Sequence, residues 1–165
     1  MLALRYAYIL ALVVWLGGMV VLGALVAPTT FSVLQASAPQ VGRALAGELF
    51  GVTLARFHYL AYGAGGVLLV SLAAMGMLGP RPAGFAIRMG VIVVMLAVAI
   101  YSGVVVLGEI SRIQAAVGAL PSTLAATDPR RLRFDALHVL ATRLMGFNIF
   151  AALVLLYWEA REQVR

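Results

Sequence analysis

The only two histidines of the chain, His58 and His138, each fall about one helical turn inside a different hydrophobic segment. Ionisable side chains at that depth are costly, so a functional role is the default reading. On a helix, His58 shares a stripe with Tyr62, Gly65 and Gly66, and His138 shares one with Thr142, Met145 and Gly146. Each histidine thus has a glycine eight positions deeper on its own stripe, where a flat ligand can approach. Two imidazoles facing across a helical bundle form the axial arrangement of a six-coordinate b-type haem. Arg56 and Arg143 are candidates to hold its propionates.

Two other chemistries compete. Glu109 closes the third apolar segment on the same side, and Asp135 stands three residues before His138. A His58, His138, Glu109, Asp135 set would suit a divalent metal ion such as zinc, copper or iron. Alternatively, Arg143 and Asn148, with His58, Glu109 and Asp135, would line the polar cleft of a small transporter. The bland readings are that the histidines bond carbonyls across a helix interface and that Arg143 snorkels. No nucleophile constellation, phosphate loop or paired catalytic carboxylates occurs in the chain, so the sequence does not point to an enzyme.

The elements that must position these residues follow from composition. The chain has 165 residues, 64% of them hydrophobic and only 11% charged, with a mean hydropathy of +1.04. Those values lie outside the range of soluble domains. Four apolar runs reach the roughly 20 residues that a bilayer crossing requires, which predicts helices over residues 6–27, 53–78, 85–116 and 129–161. The first run exceeds the roughly 7 to 15 residues of a signal-peptide core and is expected to remain as a helix.

Pro28 is expected to end the first helix. The segment after it, with Val41, Leu45, Leu49 and Phe50 at near-helical spacing, reads as a short interfacial helix. Gly79-Pro80-Arg81-Pro82 is a tight breaker. Asp128-Pro129 is a strong helix start, with Asp as the cap and Pro in the first turn. The expected fold is therefore all-α: a single-domain, integral membrane, up-down-up-down four-helix bundle with an interfacial helix between helices one and two.

All twelve basic residues are arginine, giving a net charge of +6, which fits membrane headgroups better than nucleic acid. Arginine clusters at the short terminal elements favour cytoplasmic termini in a prokaryotic plasma membrane. With no cysteine, neither disulfides nor thiolate metal sites arise. Small-residue patches such as Trp15-Leu16-Gly17-Gly18 serve helix packing, within the chain, in a homo-oligomer or against a larger membrane partner.

Trp15-Leu-Gly-Gly18, Leu49-Phe50-Gly51 leading to Arg56-Phe-His58, and Asp128-Pro-Arg130 with Leu137-His138 and Asn148 together resemble the transmembrane-protein-205-like family of small four-helix membrane proteins. Animal members of that family are associated with export of platinum drugs. The resemblance implies the fold and leaves the activity open. The first helix and the scattered histidines also resemble the copper-resistance CopD group and its haem-binding relatives.

Overall fold

The structure, a computed structural model, describes residues 1–118 and 121–163. Four long helices dominate it: α1 (Leu2–Ser37), α2 (Gly42–Leu78), α3 (Phe85–Val117) and α4 (Pro129–Gln163). Each is long and apolar enough to cross a bilayer, and together they make this an integral membrane protein. The chain runs up and down in turn. Both ends of the described chain and the 79–84 turn therefore lie at one end of the bundle (the terminal end), and the longer connections lie at the other (the connector end).

Packing places α1 against α2 and α4, and α3 against the same two helices. The bundle is thus a square in which α2 and α4 occupy opposite corners. Its core contains Tyr8, Leu12, Trp15, Leu68, Leu72, Ile92, Met95 and Leu155, with Ala11, Ala61, Ala64, Ala99, Ala151 and Ala152 between the helices. Small residues matter here because lipid is as apolar as leucine. Helix association in a bilayer rests on close van der Waals approach, which small side chains permit.

Two expectations from the sequence are corrected. Pro28 does not end α1, which continues to Ser37. A proline inside a helix lacks its N–H, and its ring presses on the carbonyl four residues back. The turn just before it, Leu22–Val26, is wound wider, with the Ala27 N–H reaching the Leu22 carbonyl five residues back, and this slack accommodates the ring. The second correction concerns the interfacial helix: residues 42–50 are instead the first turns of α2.

The reversal between α1 and α2 is consequently tight. The Gly42 N–H donates to the Ala38 carbonyl at 2.6 Å, and a Cβ on Gly42 would collide with the Leu34 carbonyl. A second wide turn, Tyr101–Val106, interrupts α3. The Asp128-Pro129 start of α4 is as expected: the Asp128 carboxylate accepts the Arg130 N–H at 2.8 Å. The connection from α3 to α4 begins at Gly118, whose φ of 64° is left-handed, and includes two residues outside the described set.

Candidate functional site

The charged residues of the bundle interior gather at the terminal end. Arg88, one turn into α3, has no exposed side-chain surface, and Glu159 near the end of α4 has 3%. Arg88 donates through Nη2 to Glu159 Oε2 at 2.5 Å and through Nη1 to Glu162 Oε2 at 2.9 Å. Arg5, at the start of α1, donates through Nε to the other oxygen of Glu159, and its Nη2 lies 3.8 Å from Glu162. The Ala83 N–H in the 79–84 turn donates to Glu162 Oε1 at 2.5 Å. The Arg88 guanidinium also lies over the Tyr8 ring, 4.9 Å from its centroid, an additional cation–π attraction.

This arrangement follows from helix geometry. Glu159 and Glu162 are three residues apart, so they share a face of α4. Antiparallel packing then brings the last turns of α4 level with the first turns of α1 and α3. An arginine buried without partners would cost far more than its packing returns, and two carboxylates remove that penalty. The same contacts tie three helices and the turn together.

Beside the cluster lies a cleft of about 490 Å³. Arg5, Arg88, Glu159 and Glu162 form one side of it, and Leu2, Met75, Pro80 and Pro82 contribute an apolar side. Each carboxylate oxygen of the two glutamates has a partner. The donors are not all used: Arg88 Nε, Arg5 Nη2 and the Tyr8 hydroxyl are buried without a hydrogen-bond partner.

The residues singled out from the sequence lie at the other end and do not converge. His58 faces α3. Its Nδ1 is 2.8 Å from the Leu54 carbonyl of its own helix, and its ring lies where Gly103 leaves room, since a Cβ there would fall 2.6 Å from His58 Cδ2. Tyr62 packs edge-on to His58 and donates to the Ala99 carbonyl at 3.5 Å. The cavity at this point is about 100 Å³, below the roughly 300 Å³ at which small-molecule sites begin. His138 is exposed on α4 and stacks on Phe134 of the same helix.

A porphyrin held on both rings does not fit this packing. The α2 and α4 helices are diagonal, the space beside Gly65 is filled by Leu96 and Trp15, and Gly66 and Gly146 have nothing beside them. Arg56 and Arg143 are exposed. Glu109 pairs with Arg112 at 3.7 Å and Asp135 with Arg131 at 3.9 Å, each along its own helix. Among the described residues no three His, Asp or Glu side chains come together as a metal site. Asn148 is buried, and its Oδ1 has no partner.

The sequence reading missed Glu159 and Glu162 and used the arginines at the terminal elements, Arg5 and Arg88 among them, only to orient the chain. The available signal was depth: charges of opposite sign fall at the same level of three antiparallel spans. If about 20 residues cross the hydrocarbon, counting from Arg5, Arg88 and Glu159 places the far boundary near Leu25, Gly108 and Val139. Arg143 is then about 6 Å inside, within reach of the far surface by snorkelling.

Fold and site together define a small four-helix integral membrane protein with a charged cluster and cleft at one end. Residues 10–119 match the model of a protein family described as a domain of unknown function, DUF4149, and the chain belongs to that family. The match includes Arg88 and stops before α4, so Glu159 and Glu162 lie outside it. No curated protein and no solved structure matches the chain.

Proposed function

We propose that the protein is a non-enzymatic membrane module that holds a small amphiphile in the cleft at its terminal end. The observation that carries this reading is the cleft of about 490 Å³ itself, with the ion-paired cluster on one side and Leu2, Met75, Pro80 and Pro82 on the other. The cleft volume falls within the range of about 300 to 1,000 Å³ typical of ligand sites. Its apolar side and its position at the end of the transmembrane bundle favour a ligand that enters from the bilayer. Dense arginine at the short terminal elements favours the cytoplasmic side for this cleft.

The test is a thermal-shift panel on protein in nanodiscs, using decylubiquinone, lauric acid, dioctanoylglycerol and lyso-phosphatidylglycerol. Wild type is expected to be stabilised by at least one of them, and a Leu2→Trp variant, which fills the mouth from an exposed position, is expected to lose that shift. Equal shifts in both proteins, or none in wild type, would overturn the reading.

A further inference from the structure

Resting on the cleft-binding reading above, we infer that the ligand carries an anionic head, a carboxylate or a phosphodiester, held at the mouth of the cleft while its apolar chain lies along the inner wall. The charges that stay accessible at this end of the molecule select that head.

Acids are scarce here. Of the six in the chain, Glu48, Glu109, Asp128 and Asp135 belong to the connector end. Glu159 and Glu162 are the carboxylates of the terminal end, and both are already paired with Arg5 and Arg88. Two further arginines stand at the same end. Arg81 lies between Pro80 and Pro82, and Arg161 directly precedes Glu162, so each is anchored one residue from the lining of the cleft. Both are exposed, and neither forms an ion pair or hydrogen bond among the described residues. The rim thus carries two uncompensated positive charges beside a neutral cluster.

Burial decides where those charges can act. Arg5 and Arg88 balance Glu159 and Glu162, so an anion pushed in among them would lose its hydration for no net attraction. At the rim an anion keeps part of its water and meets guanidinium groups whose planar fork suits carboxylate and phosphate oxygens. A cationic head finds no unpaired carboxylate there. An uncharged head gains no Coulomb attraction from Arg81 and Arg161.

The apolar side of the cleft takes the rest of the ligand. Leu2, Met75, Pro80 and Pro82 form it, and an alkyl chain laid against them leaves water. The mouth opens at the end of the transmembrane bundle, level with lipid headgroups, so head outward and chain inward is the orientation an amphiphile already has in the bilayer. The cytoplasmic leaflet, which the terminal arginines favour for this end, is also the anionic one.

Titration by thermal shift tests the inference, with protein in phosphatidylcholine nanodiscs at low salt and lauric acid, lyso-phosphatidylglycerol and dioctanoylglycerol as probes. At least one of the two anionic probes is expected to saturate, with uncharged dioctanoylglycerol at least about tenfold weaker. In Arg81→Gln/Arg161→Gln, exposed positions that put folding at little risk, half-saturation by the anionic probe should rise at least about tenfold. Sodium chloride at about 0.5 M should remove most of the difference between the two proteins. Arg56→Gln/Arg143→Gln, which removes the same charge at the connector end, should bind as wild type does. Saturation by lauric acid alone identifies a free fatty acid and by lyso-phosphatidylglycerol alone a phospholipid head, and either supports the inference. Equal anion binding in wild type and Arg81→Gln/Arg161→Gln, or an equal loss in Arg56→Gln/Arg143→Gln, would overturn it. Dioctanoylglycerol binding as tightly as the anions would overturn it too while the cleft-binding reading stands. No shift from any probe would overturn both.

Discussion

The two ends of the bundle treat ionisable residues in opposite ways. At the terminal end, Arg5, Arg88, Glu159 and Glu162 come from three helices, and their contacts are between helices. At the connector end, Glu109, Arg112, Arg131 and Asp135 pair within their own helices, and His58 and His138 likewise contact their own turns. Pairs along one exposed helix face contribute a few tenths of a kcal/mol. A buried pair between helices fixes which helices meet and at what height. The difference teaches that, in this fold, charge is informative when opposite signs share a depth and not merely when a charge occurs in an apolar run.

The contrast breaks most directly at Glu159. Glu159→Ala removes one of the carboxylates holding the fully buried Arg88 and leaves Arg5 with only its distant contact to Glu162. It is expected to lower stability by about 3 kcal/mol or more, measured by unfolding in detergent. Arg88→Met/Glu159→Leu, which discards both charges, is expected to recover most of that loss. A Glu159→Ala protein as stable as wild type would show that the cluster is not what joins the helices.

The connector end should respond more weakly. The Asp128 carboxyl is held below the usual carboxylate range, first by the Arg130 side chain and then by the Arg130 N–H. A group whose folded pKa is depressed stabilises above its unfolded pKa and ceases to do so as pH falls through the folded one. Amide exchange in residues 129–133 should therefore accelerate relative to the middle of α4 as the solution is acidified through that range. Asp128→Asn should abolish this pH dependence while keeping much of the cap. The smallest effect is expected for His138→Ala, within about 0.5 kcal/mol, as for exposed substitutions in general. A Soret band in the purified protein that disappears in His138→Ala would reverse the comparison and move the working site to the connector end.

The four helices were legible because apolar length is a strong signal, and the α2 end at Leu78, the α3 start at Phe85 and the Asp128 cap agree closely with the sequence reading. Pro28 misled because its effect on the backbone was absorbed one turn earlier, which no local rule reveals. The histidines misled because similar depth says nothing about azimuth: α2 and α4 sit at opposite corners, and His138 faces outward. Glu159 and Glu162 were overlooked because they follow the last apolar residues and look like an ordinary solvated tail. Only the antiparallel neighbours reveal that their side chains turn back into the bundle.

The wide turns in α1 and α3 carry a consequence for how the molecule tolerates change in chain length. Such a turn stores one residue more than the regular ladder uses, so residues on either side keep their faces toward their neighbours. Inserting or deleting a residue elsewhere in these helices would swing every later side chain by about 100° around the axis. Leu22–Val26 and Tyr101–Val106 are thus the places where α1 and α3 can lose a residue while the cores on both sides stay aligned.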